Sequence, residues 1–121
     1  MPSIDAHVKQ AQGNEQFYLD VLGGEASSTP EWAMTALFYA AVHYVQAGCV
    51  HFGACPKDHG MRKEAIQTHF REIRAAYSKL YQDSRDARYE CIKHQSSELR
   101  NAESLLARIA ATVKETLPAA A

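Results

Sequence analysis

The stretch from Trp32 to Val50, WAMTALFYAAVHYVQAGCV, is apolar on nearly every side of a helical wheel. A helix of that kind has to be surrounded by other elements, whereas a surface helix needs only one apolar stripe. Its boundaries are legible. Thr29 suits the N-cap, Pro30 the first helical position, and Glu31 the positive end of the helix dipole. Gly53 ends the helix just past Phe52, giving a rod of roughly 33 Å at ~1.5 Å per residue. Thr35, His43 and Gln46 interrupt the apolar run, so a central buried helix is expected rather than a membrane span.

The rest of the chain has to supply the surround. Its 121 residues are enough for one domain with its own core, over residues 1–117, with a short tail at 118–121. Strand signals are almost absent. A first helix is expected over Ser3–Leu22, with Ile4, Val8, Ala11, Tyr18 and Leu22 near one face and Gly23-Gly24 as its stop. Asp58 caps a short third helix, His59–His69. A fourth, Phe70–Ala87, carries Ile73, Tyr77, Leu80 and Ser84 on one face. No glycine or proline forces a break between these two, so one bent helix or two separate ones both fit. Ser96 or Ser97 is the expected cap of the fifth helix, whose stripe is Leu99, Ala102, Leu106, Ile109, Val113 and Leu117. The fold class is all-α: an antiparallel up-and-down bundle of four to five helices, with the second at the centre and the fifth outside.

A formal net charge of −1 excludes a wholesale polybasic nucleic-acid binder but leaves room for a local basic stripe. The N-terminal MPSIDAHVK lacks an apolar signal core. Three cysteines, without disulfide-framework spacing, suggest reduced thiols in a cytoplasmic setting away from membranes. Cys49, His51, Cys55 and His59 are zinc-type side chains, but their spacing matches no paired-cysteine knuckle; no metal and no cofactor are expected. Cys91 has no relay beyond His94. Glycine-rich phosphate loops, nucleophile elbows and His-Glu-x-x-His are all missing.

Three patterns carry chemistry. On the second helix, Thr35, Tyr39, His43 and Gln46 form one polar stripe. Unpartnered burial would cost about 1–3 kcal/mol each, so they either bond within the core or line a cleft or a twofold interface. Tyr39 and His43 are the candidate cleft residues. On the fourth helix, Arg74, Tyr81, Arg85 and Arg88 share a basic face with one aromatic, expected opposite the core stripe. That composition suits a phosphate backbone with a stacked base. The alternative is a solvated face, with Glu72, Asp83, Asp86 and Glu90 as ion-pair partners. Finally, the segment 83–94, DSRDARYECIKH, combines arginines able to grip phosphate with a histidine able to move protons. His94 is expected in a loop with nothing local to hold it. Arg88 is open to three roles: phosphate clamp, binding-face cation, or internal anchor reaching a carboxylate or carbonyl.

The order of elements and two segments resemble the HEPN family of small helical nucleotide- and RNA-associated domains. WAMTALFYAAVHY, residues 32–44, is similar to the family's aromatic-rich second helix with its Tyr-x-x-x-His-like pattern. HGMR at 59–62, followed by YQDSRDARYE at 81–90, looks like a pattern of uncharacterised prokaryotic members; together the resemblance covers about residues 30 to 116. It implies a bundle that dimerises. Many members are metal-independent endoribonucleases whose signature is an arginine, four to six intervening residues, then a histidine. Arg88 and His94, with five between them, fit that spacing. Carried over, Arg88 would hold the scissile phosphate and His94 would act as general acid or base on the RNA 2′-hydroxyl, with His43 or Tyr81 assisting. The chain departs from active members at Tyr89, where they commonly have a small polar residue. Other members are non-catalytic nucleotide-binding modules, or partners of nucleotidyltransferases in toxin–antitoxin pairs. The resemblance therefore implies RNA or nucleotide association, in a toxin–antitoxin or defence context, with a homodimer and a cognate protein as partners. Its alternatives are the endoribonuclease and a non-catalytic interaction or dimerisation module.

Overall fold

A computed structural model describes residues 2–118; the tail expected at 118–121 therefore lies almost wholly outside the described residues. Five α-helices make an all-α bundle, with no strand among the described residues: α1 Ile4–Asp20, α2 Pro30–His51, α3 His59–His69, α4 Arg74–Tyr89 and α5 Ser96–Thr116. Short 3-10 turns at Gly24–Ala26 and Arg71–Ile73 join them.

The ends follow from local chemistry. Ser3 accepts a hydrogen bond from the Ala6 amide and starts α1; Gly23 and Gly24, both at positive φ, turn the chain out of it. Asp58 accepts from the Met61 amide at 2.8 Å and caps α3. Thr29 sits at the N-cap of α2, but its hydroxyl lies beside Ser27 rather than on a helix amide. The fifth helix differs from expectation by one residue. Its N-cap is Gln95, in a reciprocal box with Glu98, whose carboxylate accepts from the Gln95 amide at 2.9 Å. Such a box needs an acidic or amide side chain three residues past the cap. Ser96 and Ser97 would place Leu99 and Arg100 there.

The α3–α4 junction is a break made by burial. Phe70 leaves helical geometry (φ −138°, ψ 44°), and its ring, fully buried, packs onto Gly48 of α2. Apolar burial of a whole aromatic is worth ~1.5–3 kcal/mol, enough to stop a helix without proline or glycine. Beyond it, α4 runs two residues past the expected Ala87.

α2 sits at the centre, packed against α1, α3, α4 and α5. Met34, Leu37, Phe38, Tyr44 and Val45 of α2 meet Tyr18 of α1, Tyr77 and Leu80 of α4, and Leu99, Ile109 and Val113 of α5. By length and composition α2 would suffice to cross a membrane, yet 72% of its most apolar window is buried inside the bundle. α5 lies outside and buries a single stripe. The core stripe of α4 is as expected: Ile73 just before it, then Tyr77, Leu80 and Ser84, all buried.

Candidate functional site

Each member of the polar stripe of α2 makes a hydrogen bond within the bundle, although Gln46 Oε1 has no partner among the described residues. Thr35 donates to the Glu31 carbonyl at 2.7 Å, and the Gln46 amide donates to the Pro56 carbonyl at 3.2 Å. His43 Nδ1 lies 3.1 Å from His7 Nδ1, so one ring must donate and the other accept. Burial, then the neighbouring His7 and Arg62, hold the His43 pKa below its ordinary value; burial does the same for His7. Tyr39 is the most exposed of the four, at 45%, and its hydroxyl accepts from Arg88 Nη1 at 2.9 Å.

That bond opens onto a continuous ladder of rings and guanidinium groups. The Arg88 guanidinium lies over Tyr39 and Tyr89, at 5.6 and 5.4 Å from their centroids. Arg85 lies over Tyr89 and Tyr81, at 5.0 and 5.9 Å. Tyr81 stacks on His59 of α3 with centroids 3.4 Å apart and planes 7° from parallel. Beneath the ladder, Arg62 Nε donates to the Tyr77 hydroxyl at 3.0 Å, which stands 3.4 Å from His59 Nδ1. Burial first, then the charges of Lys63, Arg62 and Arg85, lowers the His59 pKa. Phe38 of α2 packs against Tyr39, Tyr77 and Tyr81 together, which fixes the seam to the core.

Tyr81 and Arg88 are therefore not opposite the core stripe, as their helical spacing suggested. Tyr81 packs on the core, and Arg88 is half-buried, with its Nε enclosed and without a hydrogen-bond partner among the described residues. Arg74 does not join them. It stands at the start of α4, about 21 Å along the helix from Arg88 at ~1.5 Å per residue, and donates to Gln67.

The ion pairs expected to neutralise these arginines are not formed. Asp83 pairs with Lys79 at 2.8 Å, and Asp86 accepts from Gln82 at 2.8 Å. Among the described residues, Arg62, Arg74, Arg85 and Arg88 have no carboxylate at ion-pair distance. Beside Arg88, a cleft of about 310 Å³ opens between Trp32 and Tyr89, with Ala87 and Glu31 completing its wall. Trp32 is 58% exposed and Tyr89 63%.

His94 is held, contrary to expectation. It is 5% exposed, although it lies between helices. Nε2 is 3.0 Å from the Asp83 carbonyl and Nδ1 is 3.0 Å from a Glu98 carboxylate oxygen. Both partners accept, so the ring that satisfies both is the doubly protonated imidazolium. Burial alone would lower its pKa; the bonds to Glu98 and Asp83 more than offset this and raise it. The Glu98 pKa is lowered by the Gln95 amide and then by His94. Cys91, at φ 57°, turns the chain back so that His94 reaches α4. Arg88 faces α2 while His94 ties α4 to α5, and no hydrogen bond joins the two.

Spacing does not single out Trp32, Tyr89 or Arg62 as site residues, and it brings up His59 only as a zinc-type side chain. Two signals existed: Trp32 is seven residues before Tyr39 and Tyr89 is four after Arg85, each pair on one helix face. All three cysteines are free. Burial pushes the Cys49 thiol up to about 11, unsuited to nucleophilic work. Among the described residues, no group of three or more His, Cys, Asp or Glu side chains is placed to hold a metal ion. No protein-family model matches the chain, and no curated protein matches it.

Proposed function

We propose that this chain is a HEPN-like module that binds single-stranded RNA or a nucleotide through the Tyr39–Arg88–Tyr89–Arg85–Tyr81 ladder, without cleaving it. The observation that carries this reading is the pair of guanidinium groups, Arg85 and Arg88, free of carboxylate partners among the described residues, with Arg88 between the exposed Tyr39 and Tyr89 rings and Arg85 between Tyr89 and the half-buried Tyr81. Arginine offers phosphate a bidentate grip. Tyr89 and Trp32 offer faces for a base, and base stacking is sequence-tolerant at ~1–3 kcal/mol per base. The cleft beside Arg88 has room for one planar ring.

Catalysis by Arg88 and His94 is not part of the proposal, because neither His94 nitrogen is free to take or give a proton while Glu98 and Asp83 hold it. A homodimer and a cognate protein such as a nucleotidyltransferase accompany the family resemblance, a cytoplasmic setting accompanies the three free cysteines, and all belong to the same proposal.

Fluorescence anisotropy with a labelled single-stranded RNA, titrated at several salt concentrations, tests it. Binding should weaken steeply with salt. Arg85→Ala and Arg88→Ala should each lower the salt slope by about 1, and Tyr89→Ala should cost about tenfold at unchanged slope. Affinity indifferent to salt and to both arginine variants would sink the reading. RNA cleavage in chelator that disappears in His94→Gln would replace it with the endoribonuclease.

A further inference from the structure

A second recess lies elsewhere in the bundle, between α1, α2 and α5. Its volume is about 480 Å³, within the ~300–1,000 Å³ of small-molecule sites. Leu19, Leu37 and Leu106 give it an apolar wall. Its polar groups are Glu15 and Tyr18 from α1, Tyr44 from α2, and Glu103 and Lys114 from α5.

Three oxygens in this recess are buried and have no hydrogen-bond partner among the described residues: Glu15 Oε1, the Tyr18 hydroxyl and Glu103 Oε2. Tyr18 is 2% exposed, so it cannot turn to water. Burial, then the charge of Glu103 and a loose contact of the hydroxyl with that carboxylate, too poor in geometry to be a hydrogen bond, raises the Tyr18 pKa; burial, then contact with Glu15 and its charge, raises that of Tyr44. Both rings therefore stay neutral phenols. Buried polar groups in folded proteins are nearly always partnered, and three such oxygens in one recess are placed to receive hydrogen-bond donors.

The chemistry of the lining says what kind of donor fits. Carboxylates only accept hydrogen bonds, so the occupant has to donate. Two carboxylates and one lysine leave the recess one negative charge in excess, so the occupant is cationic. An aromatic face also attracts a cation, and Lys114 Nζ already stands 5.3 Å from the Tyr44 ring centroid. The leucine wall asks for an apolar body. We infer that the α1–α2–α5 recess is a binding site for an organic ammonium ion, a primary amine with an apolar aliphatic or aromatic group. Its N–H donors meet the oxygens of Glu15, Tyr18 and Glu103, and its apolar part lies on Leu37 and Leu106. A guanidinium clamp for phosphate and a carboxylate pocket for amines are opposite chemistries, so this site is independent of the ladder.

The test uses the full chain and phenethylamine as the probe, followed by amide chemical shifts in 15N-labelled protein. Phenylethanol, of nearly the same shape but neutral, is the control. The amine should shift amides of α1, α2 and α5 saturably, and the alcohol should bind at least tenfold more weakly. Glu15→Gln and Glu103→Gln keep shape and hydrogen-bonding size while removing charge, and each should weaken the amine about tenfold. Lys114→Ala removes the competing cation and should tighten it severalfold. Equal binding of amine and alcohol, shifts outside these helices, no saturable shift, or an amine affinity unchanged in the Glu15→Gln/Glu103→Gln double variant would each overturn the inference. Should Glu15→Gln lower stability, Lys114→Ala on the exposed rim still gives the opposite-signed answer.

Discussion

Gly48 sits in the interior of α2, where alanine would ordinarily be the better helix former by about 1 kcal/mol. Intrinsic propensity therefore predicts that Gly48→Ala stabilises. The packing predicts the reverse. A Cβ built at this position would stand 2.4 Å from Phe70 Cζ, 2.8 Å from Cε2 and 3.3 Å from Cε1. Phe70 is fully buried and boxed by Phe52 and His69, so its ring has nowhere to go. Overpacking of this kind costs about 1–3 kcal/mol, and the severity of the overlap favours the upper part of that range. Subtracting the gain in propensity leaves a net loss of about 1–2 kcal/mol. For a domain of this length that is a fall in Tm of about 3–10 °C. The three clashing atoms are all absent from leucine. Gly48→Ala in a Phe70→Leu background should therefore recover the propensity gain, giving a favourable coupling of about 2–3 kcal/mol in a double-mutant cycle read by urea denaturation. A Tm that rises in the single variant, or a cycle with no coupling, would refute the idea that the Phe70 ring on Gly48 sets the α3–α4 break.

Cys91→Gly should stabilise by about 1 kcal/mol, because a side chain at φ 57° is strained and glycine is not; thermal melts with and without reductant check it, and a loss would show that the thiol packs usefully. Acid should destabilise through His7 and His43. Their folded pKa values lie below the ordinary ~6.5, so the stability they contribute is complete above that value and is lost as pH falls from it down through the folded values; Tm against pH should flatten in His7→Asn/His43→Asn. His94 has the opposite sign. Its folded pKa is raised, so its contribution is complete below ~6.5 and fades as pH climbs through the folded value; His94→Gln should cost most near pH 5 and least near pH 9, and a pH-independent cost would mean that the ring is held neutral. Arg100→Ala, which breaks an exposed pair with Glu25, should leave the thermal melt unchanged, and a clear fall in Tm would show that the pair holds α5 to the Gly24–Ala26 turn.

The scaffold was readable because burial patterns are local in sequence. Helix periodicity, Asp58 as a cap and the all-round apolarity of α2 each needed only a few neighbouring residues. The Phe70 break was not readable, since its cause lies on another helix at Gly48. The candidate site was legible in residue type but not in arrangement. Arg85, Arg88, Tyr81 and Tyr39 could be named from composition and spacing. Whether Arg88 would meet a carboxylate or a ring depended on the rotation of α4 against α2, which no spacing within α4 encodes. His94 shows the same limit: a position between helices looked loose until the turn at Cys91 folded it onto Asp83 and Glu98. The α1–α2–α5 recess left no trace at all, because its carboxylates lie far apart along the chain and look like ordinary surface residues there.

The central position of α2 also sets a timetable. During synthesis the chain completes its most apolar helix at His51, when α1 is the one of its α-helical packing partners already made. The faces that meet α4 and α5 wait for the remaining 65 residues to Thr116. At ~5–20 residues per second that is roughly 3–13 s with a sticky rod uncovered on the ribosome. Chains stopped at Phe70 should accordingly aggregate or remain chaperone-bound, while chains reaching Leu117 should be monodisperse. A freely soluble, unassociated fragment ending at Phe70 would show that α1 alone shields the rod.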